Sequence, residues 1–190
     1  MGSTPDVGGA WVAHSGGGTG PITVSQGAIT VRGENASYAE DCNSNFTAVS
    51  TGSVYAGMDL NYPAPSTTTG TAVTYFTNFN PTANTPCCVY PTGHTSTGFK
   101  LAIGAASETT SLTTTAAELE HGTTFRLVFS FDTVTDKCSL WVNPSSEASP
   151  SILSALAATA ATVNSFAFRQ AAATPPPELP VRSEIYTYPL

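Results

Sequence analysis

Apolar and polar side chains alternate along Phe125-Arg126-Leu127-Val128-Phe129-Ser130-Phe131-Asp132, with Phe125, Leu127, Phe129 and Phe131 on one face. A polar turn at Thr133 to Asp136 leads into Cys138-Ser139-Leu140-Trp141-Val142-Asn143-Pro144. Two period-two runs joined by a short polar turn predict an antiparallel hairpin, and its apolar side needs a second sheet to cover it. Val54 to Tyr62 repeats the pattern: Val54, Ala56, Met58, Leu60 and Tyr62 lie opposite Tyr55, Gly57, Asp59 and Asn61, and Pro63 and Pro65 end the run. Further strands are predicted around Ile22–Val31, Thr71–Phe79, Phe99–Ile103, Phe166–Gln170 and Pro180–Tyr188.

The connections are unequal. Residues 1–20 form a glycine-rich lead-in anchored by Trp11, and residues 33–53 are polar. Pro81 to Gly98 reads as a long loop, and residues 171–180 as a proline-rich connector before the last strand. Ile152 to Ala158 alone has helical spacing, enough for at most one short helix near 150–160. The expectation is therefore one all-β domain over residues 1–190, a two-sheet antiparallel jelly-roll sandwich of about ten strands.

Composition narrows the class. Only 10% of the 190 residues are charged, against about 25% in ordinary soluble domains, and Thr, Ser, Ala and Gly take their place. That balance fits a secreted β-protein whose exposed strand faces carry hydroxyls. The net charge of -7, with six Lys and Arg in all, leaves no basic stripe to follow a phosphate backbone. Nucleic acid is thereby excluded as a partner, as is attraction to anionic lipid. No apolar run approaches the roughly 20 residues of a membrane span. The start, Met1-Gly2-Ser3-Thr4-Pro5-Asp6, lacks a basic and an apolar signal region, so a secreted chain is expected to have lost its targeting segment.

Four cysteines, Cys42, Cys87, Cys88 and Cys138, point to disulfides and an oxidising compartment. Cys87 and Cys88 are adjacent, so each needs a distant partner, and Cys42 and Cys138 are the two available. Buried thiols are the alternative, above all for Cys138, which shares a strand face with Leu140 and Val142. The spacing does not suit zinc, because no CxxC occurs and His14, His94 and His121 are scattered.

The order of pieces resembles a known family. It runs from Trp11 through Val54-Tyr55-Ala56-Gly57-Met58, Gly70 to Phe76, Gly98 to Gly104 and Phe125 to Asp132 to Leu140-Trp141-Val142-Asn143-Pro144 and Phe166-Ala167-Phe168-Arg169-Gln170. Together these pieces resemble the concanavalin A-like, laminin-G-like jelly-roll modules of secreted bacterial surface proteins. The resemblance implies a shared fold used by glycan binders, adhesins, structural modules and some enzymes, so function must come from the site. Such modules end on an acidic strand, whereas Val181-Arg182-Ser183-Glu184-Ile185 lacks the first acidic position.

The candidate residues follow from these strands. Trp141 points away from Leu140 and Val142, either as a stacking platform for a sugar ring or under a loop such as Ile152 to Ala160. Tyr55, Asp59 and Asn61 share one face and could line a polar groove. Asp132 and Asp136 flank the hairpin turn as calcium candidates, with plain turn capping as the alternative. Asn35-Ala36-Ser37 and Asn45-Phe46-Thr47 would be glycosylation triplets in a eukaryotic secreted chain.

Glu118 with Glu120 has the parity of a paired-carboxylate site but no aromatic neighbour. Arg182-Ser183-Glu184 resembles one strand of jelly-roll alginate lyases whose companion strands are missing. The first reading is a non-catalytic extracellular or cell-surface protein, structural or adhesive and able to assemble, with copies of itself or matrix proteins as partners. A carbohydrate-binding module is the alternative, with a glycan as partner, and a glycan hydrolase or lyase comes third. No cofactor is expected beyond the calcium candidates.

Overall fold

The computed structural model describes residues 11–15, 22–25, 28–31, 40–64, 77–80, 85–104, 111–155, 162–169 and 179–184. Its strands are β1 (Trp11–Ser15), β2 (Thr23–Ser25), β3 (Ala28–Val31), β4 (Asp41–Val49) and β5 (Ser53–Asn61). There follow β6 (Thr77–Phe79), β7 (Cys88–Thr92), β8 (Gly98–Gly104), β9 (Thr113–Thr114) and β10 (Leu119–Glu120). The last are β11 (Thr124–Asp132), β12 (Lys137–Val142), β13 (Ile152–Leu153), β14 (Val163–Phe168) and β15 (Leu179–Glu184). Among the described residues there is no helix.

The strands form two antiparallel sheets. One runs β13-β12-β11-β5-β15-β3-β2 and the other β1-β4-β14-β6-β7-β8-β10, with β9 also on β8. The predicted hairpin is in place, from Leu127 opposite Val142 to Asp132 opposite Lys137. Its turn is set by Asp132, whose Oδ1 accepts the amides of Val134 and Thr135 at 2.8 and 2.9 Å. Asp136 takes a left-handed conformation with φ of 54°, which Asp tolerates better than most residues.

Period-two alternation explains the core. Phe125, Leu127, Phe129 and Phe131 of β11, with Val54, Ala56, Met58 and Leu60 of β5, turn inward. They meet Phe79, Val89, Phe99, Leu101, Ile103, Phe166 and Phe168 of the other sheet. Phe129 lies at the centre, 4.9 Å from Phe79 and 5.7 Å from Phe166 between ring centroids. Trp11 stacks on Phe168 at 5.3 Å, closing one side of the core. Each fully buried side chain of this size contributes about 1.5–3 kcal/mol relative to exposure.

Several expectations need correction. Fifteen described strands replace about ten, because two-residue strands such as β9, β10 and β13 carry too little pattern to read. The lead-in contains β1, and the polar stretch 33–53 contains β4, a nine-residue strand between β1 and β14. β4 escaped pattern reading because Asp41, Asn43 and Ser44 are buried polar residues. Asp41 is satisfied there by the Ser15 hydroxyl at 2.7 Å and by Arg169 at 3.9 Å.

The supposed loop 81–98 contains β7, with Pro91 inside it. On β7 the described part of β6 pairs with Cys88 and Val89, and Pro91 lies opposite Leu101 of β8. Ile152–Leu153 form an edge strand on β12. The remainder of the helix expectation (156–158), most of the connector (171–178), Asn35, residues 71–76 and Ile185 to Tyr188 lie outside the described residues.

The four cysteines, Cys42, Cys87, Cys88 and Cys138, are all buried and carry free thiols in this structure. Cys87 enters the main core, while Cys88 packs on the opposite face with Tyr90 and Ala102. Cys42 on β4 is three strands from β7 in the sheet order. At about 4.8 Å per strand that is roughly 14 Å, well beyond the roughly 7 Å limit between bridged Cα atoms. Burial pushes the Cys42 thiol up to about 12, so it is not a reactive nucleophile.

Candidate functional site on the outer sheet face

The side chains that alternate outward on β5, β11 and β12 build a surface from three neighbouring strands. β11 lies between the other two, with Gly57 opposite Val128 and Val128 opposite Trp141. One row along, Asp59 faces Arg126; one row the other way, Tyr55 faces Ser130. Trp141 and Tyr55 therefore meet diagonally across β11, with ring centroids 6.2 Å apart and planes inclined by 36°. Gly57 and Val128 form a low floor between them.

These residues line a groove of about 270 Å³ formed by Tyr55, Gly57, Arg126, Val128, Trp141 and the segment Pro144–Glu147. The segment is held in shape by few but specific contacts. Ser149 Oγ accepts the amides of Ser145 and Ser146 at 3.0 and 3.2 Å. The Trp141 indole N–H donates to the Ser149 carbonyl at 3.0 Å, which fixes the ring on edge to the loop. Asn143, at φ 50°, accepts the Arg126 amide on its Oδ1 at 2.8 Å and donates its own amide to the Arg126 carbonyl at 2.7 Å. The loop therefore leaves the sheet beside Arg126.

Arg126 Nη1 donates to Asp59 Oδ1 at 3.3 Å, with the two side chains 34% and 39% exposed. At that exposure the pair contributes little to stability, about 0–1 kcal/mol, but it presents a half-open donor and acceptor beside the aromatic wall. Arg182 of β15 is in register with Asp59 on its other side. Rings, a small floor and a partly solvated ion pair suit a flat ligand with one apolar face and hydroxyls at its edge.

Of the residues expected from the sequence, the structure brings Tyr55 and Trp141 together, and Asp59 stands beside the groove through its contact with Arg126. Asn61 shares their face of β5 but is used elsewhere, donating to the Gly122 carbonyl at 2.7 Å and the Thr124 hydroxyl at 3.2 Å. Trp141 is half-buried, and the loop 144–149 lies against it. Arg126, Val128 and Pro144 to Glu147 were missed. The first two were legible as the alternate positions of the Phe125–Phe131 run; the loop carried no signal.

Asp132 is spent on the hairpin turn, which holds its carboxyl below the usual range through the amide of Thr135 and, against some burial, that of Val134. Capping is therefore the role the structure gives it, and Asp136 supplies the left-handed turn residue. Among the described residues no group of three or more His, Cys, Asp or Glu is placed to hold a metal ion. Glu118 accepts the Thr95 and Thr97 hydroxyls at 3.1 and 2.8 Å, a local brace for the β7–β8 turn.

A second cluster was invisible in the sequence. Tyr62, His94, Phe99 and His121 come from four separate segments and pack as rings: Tyr62 lies 5.1 Å from His94 and 4.6 Å from Phe99, and Phe99 lies 5.5 Å from His121. His121 Nε2 is 3.3 Å from the Thr95 carbonyl, and the Nδ1 atoms of both histidines are buried without a hydrogen-bond partner. Burial, and then the neighbouring His121, lower the His94 pKa.

No family model matches the chain, and no curated protein matches it in sequence. Its fold is nevertheless shared with solved structures. A sialidase superposes over 93% of this chain with a TM-score of 0.63 at 10% identity. The match spans only 17% of that chain, so this protein corresponds to a small part of its length. Peanut lectin matches over 92% of this chain and 95% of its own, with a TM-score of 0.53 and 10% identity. The alginate lyase from Klebsiella pneumoniae matches over 88% and 84%, with a TM-score of 0.53 and 8% identity. The architecture is thus a concanavalin A-like jelly roll.

Proposed function

We propose that this protein is a non-catalytic adhesive module of the extracellular surface that binds a saccharide in the groove between Tyr55 and Trp141. Because this fold carries both lectins and enzymes, the groove supports the reading and the fold does not. The observation that carries it is the aromatic pair at 6.2 Å, set over the Gly57–Val128 floor and flanked by Asp59 and Arg126. An aromatic face meets the C–H side of a sugar ring while charged groups hydrogen-bond its hydroxyls. The non-catalytic part of the reading is motivated by the Asp59 carboxylate being engaged by Arg126.

A glycan array probed with wild type and with Trp141→Ala tests this proposal. Binding to a defined glycan set that disappears in the variant is expected. An array silent for wild type, or equal binding by both proteins, would refute it.

Self-association is the second reading, favoured by exposed apolar residues on two edge strands: Val12 of β1 at 45% and Leu153 of β13 at 51%. Light scattering on a concentration series should show growth in mass that Leu153→Lys suppresses; a constant monomer mass would remove the idea.

A further inference from the structure

Cys87 and Cys138 come from facing sheets and are both fully buried in the same core. Cys87 directly precedes β7, and Cys138 lies on β12. Cys138 Sγ donates to the carbonyl of Pro86, the residue before Cys87, at 3.1 Å. Cys87 Sγ reaches the carbonyl of Ser130 at 3.7 Å, and Phe131, next to Ser130, is paired directly with Cys138. Each thiol thus extends to the backbone beside the other, across the gap between the sheets.

We propose that Cys87 and Cys138 are a disulfide pair that closes the two sheets on each other, oxidised by a small-molecule or protein-borne disulfide while the chain folds. One thiolate attacks the oxidant and expels one thiolate from it, giving a mixed disulfide. The second cysteine, as thiolate, then displaces the oxidant's other sulfur. The protein's two thiols lose two protons and two electrons, and the oxidant leaves as two thiols. The exchange belongs to folding, because in the closed sandwich both sulfurs are shut away from any oxidant and burial favours the protonated Cys87 thiol.

The same geometry excludes the other two cysteines. Alternation puts Cys88 on the far face of its sheet, and Cys42 lies three strands away. The resulting bond would join residues on facing sheets that lie far apart in sequence, cross-linking the sandwich through its core. This inference is independent of what the groove binds.

The test is to refold the fully reduced protein in a buffer of oxidised and reduced glutathione. Remaining thiols are trapped with iodoacetamide in denaturant, and the digest is mapped by fragment-ion mass spectrometry. The expected result is one cross-link between Cys87 and Cys138, with Cys42 and Cys88 alkylated, so that the thiol titre falls from four to two. The double variant Cys42→Ser, Cys88→Ser must still form the bond, which keeps the test valid if single replacements at Cys87 or Cys138 fail to fold. Four alkylated cysteines, or a cross-link through Cys42 or Cys88, would overturn the proposal.

Discussion

Replacing two adjacent residues of β11, Phe129 and Val128, separates the inner from the outer face of the sandwich. Phe129 is fully buried, with Phe79 at 4.9 Å and Phe166 at 5.7 Å. Phe129→Ala removes the ring on which both others pack, and a buried Phe→Ala change costs about 3–5 kcal/mol. Total stability of such a domain is about 5–15 kcal/mol, so this single change removes a large part of it. With a urea slope of about 2–3 kcal/mol per molar, the midpoint should fall by roughly 1–2 M.

Val128 is half-buried on the groove floor. Val128→Ala removes two methyl groups from a partly solvated position, so its cost should stay under about 1 kcal/mol. Its effect should appear in ligand binding, because it deepens the floor between Tyr55 and Trp141. Urea denaturation followed by tryptophan fluorescence measures both stabilities. Equal destabilisation by the two variants, or a near-neutral Phe129→Ala, would refute the assignment of faces on which the groove depends.

Two more predictions follow from the far end of the sandwich. Because the His94 pKa is lowered from its ordinary 6.5, the unfolded chain takes up a proton there before the native one does as pH falls. Stability contributed by neutral His94 is therefore complete above pH 6.5 and declines below it, until pH passes the lower native value; denaturation midpoints between pH 7.5 and 5 should show a slope that His94→Gln reduces. A Cβ added at Gly98 would lie against the Leu119 carbonyl and the Glu118 side chain, so Gly98→Ala should part β8 from β10 and lower stability by about 1–3 kcal/mol, and an unchanged thermal midpoint would contradict that packing.

The strands that were legible are those with an apolar inner face and little else. Phe125 to Phe131 and Val54 to Leu60 read clearly because each has one buried side. β4 did not, because polar residues are buried at its start and two carboxylates there find partners far along the chain: Glu40, just ahead of it, takes the Ile22 amide at 3.2 Å, and Asp41 takes the Ser15 hydroxyl.

The candidate site was half readable for the same reason. Alternation identified the faces of Tyr55, Asp59 and Trp141, but the interposition of β11 between β5 and β12 is a long-range pairing that no local pattern encodes. Asn61 looked equivalent to Asp59 by parity, but the Gly122 carbonyl and the Thr124 hydroxyl divert it. The Tyr62–His94–Phe99–His121 cluster lay out of reach because its members meet through tertiary packing of separate segments. The cysteines show the same limit: with 81–98 read as a loop, nothing indicated that Cys87 and Cys88 face opposite sides of one sheet.

The central claim is most directly tested by titrating a glycan selected on the array into isotope-labelled protein and following backbone amide shifts. Saturable changes are expected at Tyr55, Gly57, Arg126, Val128, Trp141 and Ser145 to Glu147, with the Trp141 indole signal moving among the largest. Saturable shifts centred anywhere else on the sandwich, with those residues unmoved, would contradict the account.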